Sequence, residues 1–177
     1  RADAPQRRQG AGLSMPAAGL LIRDAVAEDA ALILRFIREL AIYEKAESSV
    51  QTDEAGIRDS LFGADAKARA LICEADGTAI GYAVYFYNYS TWLGRNGIYL
   101  EDLYVSPASR GSGAGKALLQ HIARRAVAEG CGRFEWSVLD WNTPAIDFYE
   151  AMGARPQSEW TVYRLEGDAL KAFAARE

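Results

Sequence analysis

An α+β fold, with a mixed and largely antiparallel sheet flanked by helices on both faces, is predicted by three observations. Two stretches of strand-like residues, 68–74 and 78–89, are joined through Ala75-Asp76-Gly77, and Asp-Gly between such runs is a strong hairpin signal. Residues 30–45 repeat apolar side chains at helical spacing. Later in the chain, strand, helix and strand patterns alternate from Tyr99 onward.

Each element follows in order. Residues 20–23 (Leu-Leu-Ile-Arg) read as a first strand. In residues 30–45, Leu32, Ile33, Phe36, Ile37, Leu40 and Ala41 fall on one helical face. A shorter helix comes next, with Thr52 as its cap, Asp53 and Glu54 in its first turn and Gly63 at its end. The hairpin leads into a central strand, in which Tyr99, Leu100, Leu103, Tyr104 and Val105 carry the apolar pattern. The loop Arg110-Gly111-Ser112-Gly113-Ala114-Gly115 then opens a helix over residues 116–129, which Gly130 stops. Residues 133–139 are expected as a strand. Thr143 is expected to cap a helix with Pro144 at its first position and Gly153 at its close, and residues 160–165 are expected as the last strand.

The glycine loop carries the chemistry. Glycine at every second position removes the Cβ atoms that would hold a ligand off the backbone. It also permits positive φ, which turns successive N–H groups toward one point, and the dipole of the following helix adds to the pull on an anion. The loop therefore suits a diphosphate. It is not a P-loop, because Arg110 stands where the first glycine belongs and Ala117 where Ser or Thr belongs. The dinucleotide fingerprint fails as well, since Gly111 and Gly113 are followed by Lys116, and Gly113 and Gly115 by Leu118. A tight strand-to-helix connection without a ligand is the plain structural alternative.

Composition bounds the rest. The chain has 177 residues, half of them apolar, enough for one domain that buries roughly two-thirds of its unfolded surface. Its two cysteines, Cys73 and Cys131, and lone His121 cannot build a usual zinc site or a disulfide framework, so no metal is expected and a reducing cytoplasm fits best. A net charge of −4 argues against nucleic acid and favours a small cationic substrate. Residues 1–14 lack apolar periodicity and read as a disordered arm, with Met15 as a possible natural start. The apolar stretch at 15–22 is too short for a membrane span, so no membrane partner is expected.

Arg110-x-x-Gly-x-Gly after a strand resembles the coenzyme A pyrophosphate loop of the GNAT family of N-acetyltransferases. The resemblance extends to Glu39-Leu40-Ala41-Ile42-Tyr43-Glu44, Trp92-Leu93-Gly94, Tyr99-Leu100-Glu101-Asp102-Leu103-Tyr104-Val105 and Trp141-Asn142-Thr143-Pro144-Ala145-Ile146-Asp147-Phe148-Tyr149. Together these are similar to the diamine and thialysine acetyltransferase branch, over about residues 20–170. The resemblance implies the GNAT fold over a single domain at 15–177, acetyl-CoA as co-substrate, a small amine as acceptor and a homodimer. It implies coenzyme contacts from Leu103, Tyr104, Val105, Arg110, Gly111, Ser112, Gly113, Ala114, Gly115, Lys116, Asn142 and Ala145, and amine contacts from Tyr43, Glu44, Glu101 and Asp102.

Two catalytic roles follow. An alkyl ammonium has a pKa of about 10.4, so something must take its proton near neutral pH. Glu101, on the strand leading to the loop, is the candidate base, with burial expected to raise its pKa; a surface ion pair is the plain alternative. Strand alternation sends Asp102 to the other face unless a bulge intervenes, and in the resembled family this strand splays from its neighbour, freeing backbone groups of Leu103 and Val105 for the acetyl-pantetheine arm. Tyr149, on the expected helix after Thr143, has in the resembled family the role of protonating the departing thiolate; core packing is its plain alternative. Tyr82, Tyr85, Tyr87 and Tyr89 read as strand-face packing. Between Gly153 and Trp160 the chain is shorter than the family pattern, so Glu159 has no secure counterpart there. An acetyl-CoA sensor without turnover, an enzyme acting on another amine such as a protein N-terminus, and a structural interaction module are the competing readings.

Overall fold

The computed structural model describes residues 19–176, so the arm expected at 1–14 and the possible start at Met15 lie outside the described residues. The chain divides after Ser137 into two compact units.

The first unit is built on a five-stranded sheet in sequence order: β1 (Leu20–Asp24), β2 (Ala68–Ala75), β3 (Thr78–Ser90), β4 (Arg95–Val105) and β5 (Phe134–Trp136). Pairing is antiparallel from β1 to β4 and parallel only between β4 and β5, the mixed sheet expected. The β2–β3 hairpin turns on Asp76 (φ 49°) and Gly77 (φ 76°), the left-handed pair that a two-residue turn requires.

Helices cover both faces. On one, α1 (Ala30–Tyr43) and α2 (Glu54–Phe62) bury Ile33, Leu34, Phe36 and Ile57 against Ala70, Ile72, Tyr82, Val84 and Tyr104. On the other, α3 (Ala114–Ala128) buries Leu118, Leu119 and Ile122. Arg125 of this helix donates to the Tyr85 hydroxyl and pairs with Asp24 of β1 at 3.0 Å. Local signals set the helix ends, with two shifts from the sequence reading. Asp53, not Thr52, caps α2 by accepting the Gly56 N–H at 2.8 Å. Glycine at 111 and 113 lets α3 begin at Ala114, so Gly115 and Lys116 lie in its first turn.

The register of β4 positions the site. Val84 faces Asp102 while Tyr85 faces Leu100, which leaves Glu101 as an extra residue, a β-bulge. The parallel ladder to β5 stops at Leu100 opposite Trp136, just before the bulge. The strand expected over 133–139 is therefore only Phe134–Trp136, because beyond Leu100 the bulged β4 no longer offers a ladder to pair with.

The second unit holds α4 (Thr143–Ala151) and α5 (Gly167–Ala174). Asn142 occupies the cap position of α4 and accepts the Ala145 and Ile146 N–H groups with its main-chain carbonyl, so Thr143 is the first helical residue rather than the cap. Residues 160–165 do not form the expected strand: Trp160, Val162 and Tyr163 are 67%, 81% and 93% exposed. A strand needs a ladder partner, and this unit's regular elements are two helices. The helix α5 escaped the sequence reading, although Asp168 at its start and Leu170 and Phe173 three apart are its signature.

Candidate active site

The loop after β4 has the backbone its sequence demands. Gly111 (φ 79°) and Gly113 (φ 86°) are left-handed, and Gly113 is the residue from which α3 starts. Gly115 is an ordinary helical residue, so positive φ is used at two of the three glycines. A Cβ added at Gly111 or Gly113 would meet no protein atom within 4 Å, so the space before the loop is open to a ligand. Ser112 Oγ accepts the Ala114 N–H at 3.4 Å. First-turn N–H groups of a helix lack intrahelical acceptors, so the start of α3 presents donors to that open space. Exposed Arg110 and Lys116 add positive charge at either end. These residues fit a pyrophosphate.

The outer edge of β4 has the backbone donors that the splay was expected to free. Ser106 donates its N–H to Ile80 on β3, so by alternation the N–H groups of Leu103 and Val105 point away from β3, toward the side that β5 leaves after Trp136. The Tyr104 side chain turns inward instead. Its ring lies 5.9 Å from that of Phe36, and its phenol is pushed up to about 12, chiefly by burial and then by its hydrogen bond to Glu39.

A group of acids lies under the same strand. Asp102 is half-buried, and Tyr82 donates its hydroxyl to Asp102 Oδ2 at 2.7 Å. Burial raises the Asp102 pKa above the ordinary carboxylate value, partly offset by that hydrogen bond. Glu44, just past the end of α1, is raised by burial and then by the charge of Asp102. Its neighbour Tyr43 carries the Arg110 guanidinium 4.7 Å above its ring, so the amine residues inferred on α1 meet the first residue of the loop. Glu101 is exposed. The burial expected of Glu101 falls on Asp102 instead, because the bulge shifts strand parity by one residue and puts Asp102 on the α1 face.

In the second unit, α4 carries Ala145 and Tyr149 four residues apart, hence on one helical face, with Asn142 buried at its start. Tyr149 is half-buried, and its ring lies 5.5 Å from that of Phe148. Cys73 is buried and Cys131 half-buried. Both are free thiols, and burial raises their pKa values, which makes them poor nucleophiles.

A profile of the acetyltransferase (GNAT) family matches residues 34–154. The chain belongs to the acetyltransferase (GNAT) family. It is similar along nearly its whole length to a thialysine N-epsilon-acetyltransferase of Sus scrofa, 42% identical over 170 residues, covering 90% of this chain and 99% of that protein. An L-ornithine N5-acetyltransferase of Arabidopsis thaliana is 46% identical over 98 residues, 55% of this chain and 43% of that protein. Among solved structures, an integron cassette protein of V. cholerae superposes with a TM-score of 0.76 at 24% identity, covering 89% of this chain and 99% of that one, and shows the same fold.

As a GNAT member the chain is an N-acetyltransferase, and enzymes of the family use acetyl-CoA. Within the first unit the GNAT fold brings Tyr43, Glu44 and Asp102 to the α1 face of β4 and joins them to the loop through Arg110. Tyr82 is the polar residue that the sequence reading missed. Its spacing with Tyr85, Tyr87 and Tyr89 looks like packing, and only the register reveals that it shares a face with Asp102. Among the described residues no helix is long and apolar enough to cross a membrane.

Proposed function

We propose that this enzyme transfers acetyl from acetyl-CoA to the primary amine of a small cationic amino acid, thialysine or a close analogue, by direct attack in a ternary complex. The observation that carries the reading is the acidic pair formed by Asp102, on the strand that leads into the glycine loop, and Glu44, just past the end of α1. Its support from outside the chain is the similarity to relatives named for thialysine and ornithine.

Acetyl-CoA, when bound, supplies the acetyl group as a thioester whose acyl carbon a neutral amine can attack. Residues 110–116 hold the pyrophosphate, using first-turn N–H donors with Arg110 and Lys116. The N–H groups of Leu103 and Val105 orient the pantetheine arm and the thioester carbonyl. Asp102 and Glu44, with Tyr43 beside them, attract the ammonium. Glu101, exposed on β4, takes its proton through water, and Tyr149, in the role that the resemblance described above assigns it, returns a proton to the departing sulfur. Asn142 and Ala145 are assigned to the coenzyme by the same resemblance. Thialysine suits a modest base, because its side-chain sulfur lowers the amine pKa. We take the enzyme to work as a homodimer, with residues 15–177 as its single GNAT domain, on the resemblance described above, and in a reducing cytoplasm, which its cysteine usage fits.

A thiol-release panel over thialysine, lysine, ornithine, putrescine, spermidine and an arylamine tests the substrate. Thialysine or ornithine is expected to lead in kcat/KM. A tenfold lead for spermidine would overturn the preference, and acetyl-CoA binding without turnover on any amine would make the protein a sensor. Tyr149→Phe tests the acid: coenzyme affinity should hold while kcat falls by roughly 10²-fold. Full activity would make Tyr149 a packing residue.

A further inference from the structure

We propose that Tyr82 is a positioning residue for the acetylated amine: its buried hydroxyl ties down one oxygen of Asp102 and so presents the other to the substrate ammonium. The inference rests on the small-amine reading above. It begins with the rigidity of the tyrosine. Tyr82 is 0% exposed, and its ring stacks on Phe36 at 5.5 Å with an interplanar angle of 14°, so its hydroxyl has one available position. From there it donates to Asp102 Oδ2 at 2.7 Å.

A carboxylate accepts about four hydrogen bonds through its two oxygens. With Oδ2 committed to Tyr82, the carboxylate plane is set and Oδ1 is the oxygen left to receive an ammonium N–H. The hydrogen bond also favours the charged form of Asp102, against the burial that opposes it. The other groups bearing on Asp102 make this help necessary. Glu44 from α1 is a second carboxylate whose own pKa Asp102 raises. Tyr104 on β4 points into the same layer and hydrogen-bonds Glu39. Glu101 is the adjacent bulge residue. The cations nearby, Arg110 and Arg35, act on Tyr104, and Arg110 lies over Tyr43; among the described residues neither makes a salt bridge with Asp102. A neutral donor therefore does the work that an arginine would do in an ordinary buried ion pair, and it leaves the site's negative charge uncancelled for the substrate.

Tyr82→Phe keeps the ring and its stacking on Phe36 while removing the donor. We expect an unchanged far-UV spectrum and unchanged acetyl-CoA affinity, KM for the amine raised about tenfold near pH 6, and an acid limb of kcat/KM displaced to higher pH, since the carboxylate must be ionised to bind an ammonium. Site-specific 3-fluorotyrosine at 82 is a stronger donor and should move the same limb to lower pH, a reversal that loss of packing would not produce. The Asp102 carboxyl carbon, assigned by its disappearance in Asp102→Asn and titrated by NMR, should follow the same two directions without reference to turnover. If neither variant moves that titration, the proposal is wrong. If wild-type enzyme acetylates no amine while the titration moves as expected, the substrate reading fails and the tyrosine–carboxylate coupling stands.

Discussion

Tyr82 and Tyr85 lie three residues apart on β3, are both fully buried, and face opposite sides of the sheet. Their partners differ in charge balance. On the α3 face, Tyr85 accepts from Arg125, which pairs with Asp24, so cation, anion and hydroxyl close on themselves. On the α1 face, Tyr82 donates to Asp102 with Glu44 nearby, and among the described residues no salt bridge offsets either acid. A closed set of charges needs no ligand and belongs to the scaffold. An uncompensated set costs folding energy unless something cationic arrives, and a carboxyl held above its ordinary pKa is the mark of that cost. The comparison separates the two faces of one sheet into structure and site.

The largest expected effect tests that division directly. Asp102→Asn keeps the shape and the acceptor for Tyr82 but removes the charge, and kcat/KM for the amine should fall by roughly 10²-fold or more, read by thiol release at saturating acetyl-CoA. Arg125→Met, which keeps the packing of the stem, should leave kcat/KM within about twofold. Equal losses in both variants would erase the distinction between the faces.

The glycine loop extends the comparison to the positive side, because Arg110, Lys116 and the start of α3 are a cationic set awaiting an anion. Gly113→Val places a branched side chain at φ 86°, where it is strained, and in the open space before the loop. Acetyl-CoA affinity by calorimetry should fall at least about tenfold in a folded protein. Unchanged affinity would remove the loop from the site.

Much of this was readable from the chain because the signals are local. Alternate glycines dictate the left-handed turns at 111 and 113, Asp76-Gly77 dictates the hairpin, and Pro144 near the start of α4 marks that helix. The acid site was readable only by type. Whether Glu101 or Asp102 faces α1 depends on a one-residue slip in pairing, and a bulge leaves no mark in a run such as Leu100-Glu101-Asp102-Leu103. Tyr82 was hidden for the same reason. The alternation in residues 160–165 signals an amphipathic ribbon but names no partner for it, and the strand inferred there is absent.

A smaller effect sharpens the scaffold side. The Arg125–Asp24 pair contributes little alone, since the Asp24 side chain is 66% exposed. Tyr85, however, is buried and loses its donor in Arg125→Met. The two together should cost about 1–2 kcal/mol, a drop in Tm of roughly 3–6 °C. Unaltered stability would mean that this closed set holds nothing together.

The smallest effect is also the one whose sign discriminates best, because two aspartates of the first unit should respond to pH in opposite directions. Asp29 accepts from Arg23 at 2.7 and 2.9 Å and from the Val26 N–H, and the arginine holds its pKa below the ordinary 3.8. A depressed carboxyl stabilises the fold above its unfolded pKa, and that contribution disappears as pH falls through the folded value. Asp29→Asn should therefore destabilise at pH 7, with the difference from wild type shrinking below about pH 4. Asp102 is raised by burial, so its ionisation opposes folding once pH exceeds the unfolded value, and the opposition is complete above the folded one. Asp102→Asn removes that opposition while keeping an acceptor for Tyr82. It should raise Tm by about 2–4 °C at pH 8, with the gain fading toward pH 4. Thermal unfolding of both variants across pH 3.5 to 8.5 gives the two curves. If Asp102→Asn instead destabilises at pH 8 as Asp29→Asn does, Asp102 is a compensated scaffold charge, and the contrast between the two faces of the sheet is lost.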